Sequence, residues 1–171
     1  MAQGDLVQRM LGAATLNIDT YEEVEADETA TMQAATVVVM VAVASAIGGA
    51  LNGTTSIVAA PIVQIIGWLI WAGVTYLIGA KIFGGTATWG ELLRTLGFAQ
   101  SPGLLYFLAI LPILGGLVRL VVGLWMLVAG VIAVRQALDF GTGKAVLTVV
   151  IGWLAMIIPA MILGGMLALG S

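Results

Sequence analysis

Residues Thr31–Leu51 read TMQAATVVVMVAVASAIGGAL, a stretch that contains no charged side chain. An α-helix needs about 20 predominantly apolar residues to cross the hydrocarbon core of a bilayer, which is roughly 30 Å thick. This stretch therefore predicts a transmembrane helix, and it decides the class of protein to which the rest of the chain must conform.

Four more apolar segments follow, at about Ile57–Phe83, Thr88–Leu111, Leu117–Leu138 and Ala145–Leu169. The chain of 171 residues is 61% hydrophobic and 9% charged, with a mean hydropathy of +1.13. A soluble domain carries about 25% charged residues. The sequence therefore predicts an all-α fold, a polytopic membrane bundle of five transmembrane helices. Pro102 lies within the third segment and predicts a kink there.

The segment before the first span, residues 1–30, is predicted to be cytoplasmic, and residues 31–171 form the transmembrane domain. Apolar residues at helical spacing predict a short amphipathic helix over Asp5–Leu16, which either lies in the membrane interface or packs under the bundle. The acidic run that follows, Asn17–Thr31, is interpreted as a solvated surface, and its Thr20–Glu23 pattern predicts a capping box at the start of a short helix.

Small residues recur at helical spacing in three of the predicted spans. Such stripes let helices approach closely in lipid, where no water drives them together. We predict helix-packing contacts at Ser45, Gly49 and Gly53 in the first span, at Gly116, Gly123, Gly130 and Ala137 in the fourth, and at Ala160, Gly164 and Ala168 in the fifth.

The positive charges predict the orientation. With the N-terminus in the cytoplasm, five of the six basic residues lie on the inner side: Arg9, Lys81, Arg94, Arg135 and Lys144. The positive-inside rule therefore places the N-terminus in the cytoplasm and the C-terminus outside. Arg119 is the exception, near the outer end of the fourth span. A charge within a span calls for a partner, and we expect Arg119 to contact lipid or a partner protein.

Composition excludes several classes of function. The chain has neither Cys nor His, which rules out disulfides, zinc–thiolate sites, iron–sulfur clusters and histidine-dependent catalysis. We predict no catalytic residues, no cofactor and no metal site. The net charge of −3 leaves no basic surface for nucleic acid.

Several segments resemble the Yip-one domain family (Ypt/Rab-interacting membrane proteins and their prokaryotic relatives). They are LIGAKIFGG at Leu77–Gly85, ELLRTLGFA at Glu91–Ala99 with Pro102, the pair Leu111-Pro112, AVRQAL at Ala133–Leu138, TGKA at Thr142–Ala145, and LNIDTYEEVEAD at Leu16–Asp27. The resemblance implies five spans with a cytoplasmic N-terminus, here in a prokaryotic inner membrane, and it implies no catalytic residues.

Eukaryotic relatives bind prenylated small GTPases through a longer cytoplasmic region, so the short segment of residues 1–30 argues against that partner. The main hypothesis is a non-enzymatic accessory subunit that contacts membrane lipids and associates with itself or with other membrane-protein subunits. The alternative is a small transporter or channel. It is suggested by spans that Pro102 and Pro159 are expected to kink, and by the polar residues Gln64, Tyr76 and Gln100.

Overall fold

A computed structural model describes residues 5–50 and 59–169, and the side chains of residues 5–50 and 60–155. Within these ranges all regular structure is helical, and no strand occurs. In chain order the elements are α1 (Leu6–Ala14), α2 (Ile18–Ala26), α3 (Ala30–Gly49), α4 (Ala59–Tyr76), a π-helical turn (Leu77–Ile82), α5 (Trp89–Phe98), a 3₁₀-helix (Ser101–Ile110), α6 (Gly115–Ala137) and α7 (Thr142–Leu169).

Three helical segments of the described part are long and apolar enough to cross a membrane: Ala30–Gly49, Ala60–Ile82 and Gly115–Ala137. Two shorter apolar segments accompany them, the 3₁₀-helix and Thr142–Ala155 of α7. The whole of α7 has 28 residues, which corresponds to a rise of about 42 Å. The all-α, multi-pass bundle predicted from the sequence is confirmed.

The third predicted span is not the single kinked helix that we expected. The capping box at its start is confirmed, because the Thr88 hydroxyl accepts from the Glu91 N–H and the Glu91 carboxylate accepts from the Thr88 N–H. However, α5 ends at Phe98 and a 3₁₀-helix begins at Ser101. Pro102 has no N–H to donate to a helical carbonyl, and the chain turns tightly there instead, with a hydrogen bond of 2.7 Å from Gly103 N to Gln100 O.

The 3₁₀ geometry compensates for the shortness of this segment. A 3₁₀-helix rises about 2.0 Å per residue, against 1.5 Å in an α-helix. Its ten residues therefore span about 20 Å, most of the thickness of the hydrocarbon core.

The two N-terminal helices form a tight hairpin. After α1 the chain adopts a Schellman motif, in which Asn17 N donates to Gly12 O and Leu16 N donates to Ala13 O. Leu16 takes the left-handed position with φ 63°. The predicted capping box at Thr20–Glu23 is wrong: α2 begins earlier, at Ile18, because the Asn17 side chain caps it by accepting from Asp19 N.

The close packing of α3 follows a seven-residue period along one face. Opposite Ala34 lies Gly97, where an added Cβ would be 2.7 Å from the Ala34 Cβ. One period later, a Cβ at Gly103 would lie 2.6 Å from Val41 Cγ1. The closest approach comes at Gly48, where a Cβ would lie 2.0 Å from the Tyr106 carbonyl oxygen. These contacts hold α3 against α5 and the 3₁₀-helix without room for an additional carbon.

The predicted stripe of α3 lies beside this contact face. Ser45 is exposed and Gly49 is buried, whereas Gly53 lies outside the described residues. The close approach is made at Gly48, one residue before the predicted position.

Candidate functional site

The described part of the bundle contains a lateral groove of about 990 Å³, bounded by α4, α5 with the 3₁₀-helix, α6 and α7. Most of its lining is apolar, including Trp71, Leu96, Leu124, Val149 and Trp153. In a membrane such a groove is open to hydrophobic molecules, and a position between helices is where bundles build their binding sites.

Two polar side chains of α4 that line the groove, Gln64 and Trp68, have hydrogen-bond partners within the protein. Gln64 Nε2 donates to Gln100 Oε1 at 2.7 Å, and Trp68 Nε1 donates to the Leu93 carbonyl oxygen at 3.1 Å. Tyr76, the third polar residue of the transporter hypothesis, lies away from this bond, with Lys81 Nζ 5.3 Å from its ring centroid. The two glutamines therefore join α4 to the end of α5, as interhelical hydrogen bonds do in membrane proteins.

The small-residue stripe of α6 faces open space. Gly123 and Gly130 line the groove, and a Cβ added at Gly116 or Gly130 would meet nothing within 4 Å. At Gly123 the nearest atom is the Tyr106 hydroxyl oxygen, 3.6 Å from an added Cβ.

The face of α6 that packs inside the bundle is the neighbouring one. It includes Gly115, Val122 and Ala129, each one residue before a member of the stripe, and the last stripe residue, Ala137, is also buried. Gly116, Gly123 and Gly130 therefore remain available for contacts outside the chain. Ala160 and Gly164 lie in α7, but their side-chain positions fall outside the described residues.

Arg119 lies at one end of the groove. Its side chain is exposed, and Nη2 donates to the Gly48 carbonyl oxygen at 3.2 Å. The residue also lines a smaller adjoining pocket of about 290 Å³ with Ser45, Tyr106 and Ala109.

No carboxylate among the described side chains forms an ion pair with Arg119. The two candidate acids are engaged elsewhere: Glu91 caps α5, and Asp139 accepts from the Thr86 hydroxyl at 2.6 Å. In the described part of the chain, no group of three or more His, Cys, Asp or Glu residues is arranged to hold a metal ion.

A buried arginine, Arg9, joins the first three helices. Only 3% of its side chain is exposed. Its Nη2 lies 2.9 Å from Glu23 Oε1 and 2.6 Å from Asp27 Oδ2, and its Nη1 donates to Gln33 Oε1 at 2.8 Å. Hydrogen bonds from Thr29 and Arg9 lower the pKa of the Asp27 carboxyl. The acidic run is thus not simply a solvated surface, because two of its carboxylates bind this arginine.

A second buried arginine, Arg94 of α5, holds the other side of the hairpin. Its Nε donates to the carbonyl oxygens of Val24, at 2.9 Å, and of Glu25, at 3.1 Å, and its Nη2 also donates to the Glu25 oxygen. These carbonyls belong to the last turn of α2, where a cation interacts favourably with the helix dipole. The hairpin of α1 and α2 is therefore packed on the bundle, which is one of the two positions considered for α1.

A family model matches most of this chain. The Yip1 domain model matches residues 18–163, from the start of α2 into α7. The chain belongs to the Yip1 domain family. Comparison with curated proteins found no match, and comparison with solved structures found none. The resemblance recognised from the sequence is confirmed, and with the apolar helices it makes this Yip1-domain chain a multi-pass membrane protein.

Sequence reasoning missed the buried roles of Arg9 and Arg94 in this Yip1-domain chain. A signal for Arg9 was present, since it is the only basic residue of residues 1–30, a segment with seven acids. Arg94 lies between Leu92, Leu93 and Leu96, three residues that are buried with it. An arginine inside an apolar cluster is a stronger sign of a specific partner than of the membrane interface.

The surroundings of Glu25 predict a pH-dependent stability for this Yip1-domain chain. Burial, together with repulsion from the carboxylates of Glu91, Asp139 and Glu22, raises the pKa of Glu25 from 4.5 to about 7, against the opposing effect of Arg94. Because the folded state binds this proton more tightly than the unfolded chain, its contribution to stability is full below about pH 4.5 and is lost as the pH rises through about 7.

We expect the Glu25→Gln variant to lose this pH dependence. Its melting temperature in detergent should exceed that of the wild type at pH 8, and the difference should shrink towards pH 5. Thermal unfolding followed by tryptophan fluorescence at several pH values measures it. Glu28→Gln, an exposed acid close to the same hairpin, is the control. A Glu25→Gln curve parallel to that of the wild type between pH 5 and 8 would contradict the assignment.

Proposed function

We propose that this chain is a non-enzymatic accessory protein of the membrane that associates laterally, with itself or with a larger membrane complex. The observation that carries the proposal is the open space beside Gly116 and Gly130 and the loose packing at Gly123, where an added Cβ would meet only the Tyr106 hydroxyl oxygen, at 3.6 Å. A small-residue stripe normally allows two helices to approach each other closely, and here no helix of the described chain covers the stripe.

The surroundings of the stripe support the same function. The exposed residues of α6 next to it are large and apolar, among them Leu117, Leu120, Leu124 and Leu127. The Gly116–Gly130 interval spans about 21 Å along the helix. A partner helix that packs across the mouth of the groove would therefore meet a continuous apolar surface.

Replacement of both Gly123 and Gly130 by leucine tests the association. We expect the double variant to fold, because a Cβ at Gly130 would meet nothing within 4 Å and one at Gly123 would make only an ordinary contact of 3.6 Å with the Tyr106 hydroxyl oxygen. It should lose the assembly formed by the wild type in a mild detergent, since two isobutyl groups would prevent close approach. Size-exclusion chromatography with light scattering measures the mass. The control is Gly73→Leu, on α4 and also with nothing within 4 Å. Unchanged mass of the double variant would reject the stripe as the contact surface.

We further propose that the N-terminus is cytoplasmic and the C-terminus lies outside a prokaryotic inner membrane. The support is the placement of Lys81 and Lys144 at helix ends, near the aromatic residues Tyr76 and Phe140. Lysines and aromatic residues near helix ends anchor spans at the membrane interface, and lysine favours the cytoplasmic side.

Cysteine labelling tests this orientation. The native chain contains no Cys, so an impermeant thiol reagent has no background reaction. In intact cells we expect Ser171→Cys to be labelled and Thr142→Cys to be labelled only after the cells are opened. Labelling of Thr142→Cys in intact cells would reverse the orientation.

A further inference from the structure

The end of the groove at Arg119 holds more hydrogen-bond donors than the protein uses. A guanidinium group carries five N–H donors, and Arg119 directs one hydrogen bond to a described acceptor, the Gly48 carbonyl oxygen. The hydroxyl groups of Ser45 and Tyr106, which line the same pocket, make no hydrogen bond to the described residues. The described residues that line the pocket thus combine one positive charge with two hydroxyl groups, and none of them is a carboxylate.

This chemistry selects an anion. Arginine binds phosphate through paired N–H donors, and such charge-assisted hydrogen bonds are about twice as strong as neutral ones. An ammonium group would find no carboxylate among the described residues that line either pocket. A phosphate whose headgroup adds no positive charge is therefore the best match.

The remainder of the site is mostly apolar and has about the length of one leaflet. Both openings share Arg119 and Tyr106, so the small pocket continues directly into the groove. From Arg119 to Gly130, α6 rises about 16 Å, close to half of the roughly 30 Å hydrocarbon core. The groove volume of about 990 Å³ lies at the upper end of the range of ligand pockets.

We propose that the groove binds an anionic glycerophospholipid of the phosphatidylglycerol type. Its phosphate accepts hydrogen bonds from Arg119, with Ser45 and Tyr106 beside it, and an acyl chain lies along the α4 side of the groove past Gly67, which leaves the α6 stripe to a partner. This lipid site deepens the proposed function and rests on it, because both use the same groove. The lipid occupies the groove, and a partner packs across its mouth.

Native mass spectrometry of the delipidated protein, titrated with phosphatidylglycerol or with phosphatidylethanolamine of the same acyl chains, tests the proposal. We expect a preference for phosphatidylglycerol. In Arg119→Leu, its affinity should fall at least about tenfold, because a charged hydrogen-bonding partner is lost, and Arg119→Lys should restore part of it. The matched control is Arg135→Leu, an exposed arginine at the opposite end of α6, which should bind like the wild type.

A second pair of variants tests the acyl-chain part of the site and leaves the α6 stripe intact. Gly67 lines the groove from α4 with nothing within 4 Å of an added Cβ, so Gly67→Leu should fill the groove and weaken lipid binding. Gly73→Leu, on the same helix and outside the groove lining, should not. Melting temperatures close to that of the wild type establish that the variants are folded.

The outcomes separate this inference from the proposed function. Any of three results would overturn the lipid site. They are equal binding of the two lipids, equal phosphatidylglycerol affinity of the wild type and Arg119→Leu, and equal losses of that affinity in Arg119→Leu and Arg135→Leu. A lipid-free wild type whose assembly needs Gly123 and Gly130 would also overturn it, and would leave the accessory function standing. Loss of lipid in Arg119→Leu, with unchanged mass of the Gly123→Leu/Gly130→Leu variant, would support the lipid site and reject the association.

Discussion

Replacing Gly48 with alanine is expected to destabilise the protein by about 3 kcal/mol or more, because the added methyl group has nowhere to go. The new Cβ would lie 2.0 Å from the Tyr106 carbonyl oxygen and 3.2 Å from the Ala109 Cβ. A flexible side chain could move aside, but a backbone carbonyl of the 3₁₀-helix cannot. The added methyl group fits only if α3 moves away from the 3₁₀-helix, and this movement would break the packing of Val41 against Gly103.

The experiment compares melting temperatures of detergent-solubilised protein by fluorescence-detected size exclusion. Gly67→Ala is the matched control, since it introduces the same methyl group into a transmembrane helix with nothing within 4 Å. That control should be neutral or slightly stabilising, because glycine in a helix interior costs about 0.5–1 kcal/mol relative to alanine. Equal melting temperatures for the two variants would mean that α3 does not pack as described.

Replacing Arg94 with leucine is expected to release the α1–α2 hairpin from the bundle. The side chain is 6% exposed, and its removal leaves the carbonyl groups of Val24 and Glu25 without their charged donor. Hydrogen bonds to charged groups contribute about 1.5–3 kcal/mol each, so we expect a loss of about 3 kcal/mol that falls mainly on the attachment of the hairpin.

Limited digestion with trypsin measures this release as the rate of cleavage after Arg9, a second buried arginine. Arg9 is 3% exposed in the folded protein, so cleavage after it should be slow in the wild type and much faster in Arg94→Leu. The control is Arg135→Leu, which removes an exposed arginine from the end of α6 and should leave the cleavage rate after Arg9 unchanged. Equally slow cleavage in Arg94→Leu would show that other contacts, such as Trp125 Nε1 to Ala14 O at 2.8 Å, are sufficient to hold the hairpin.

The membrane spans were predictable because they depend on local properties. Length and hydropathy alone identify Thr31–Leu51 and Leu117–Leu138, and the structure places helices at Ala30–Gly49 and Gly115–Ala137. The cap at Thr88 was equally local, since its two partners are three residues apart. Pro102 indicated an interruption, but its form, a separate 3₁₀-helix, depends on contacts with α3 at Val41 and Gly48.

The candidate site was only partly visible in the sequence. Arg119 stood out because a charge within an apolar run is rare, and the sequence also identified Gly123 and Gly130 as small residues on one face. The pocket itself needs Ser45 and Tyr106, which come from two other elements. No spacing within α6 indicates that these residues meet Arg119.

The sequence by itself determined the class of the protein, most of its helices and its family, because hydropathy, capping and family motifs are properties of short continuous segments. The tertiary structure alone decided the rotation of α6. Gly115, Val122 and Ala129 recur every seven residues, as do Gly116, Gly123 and Gly130, so that two neighbouring faces offer closely similar patterns. Contacts with residues far away in the chain buried the first set and left Gly123 and Gly130 of the second along the groove. The same long-range packing buried Arg9 and Arg94, because a charge is retained inside a protein only where partners from other helices surround it.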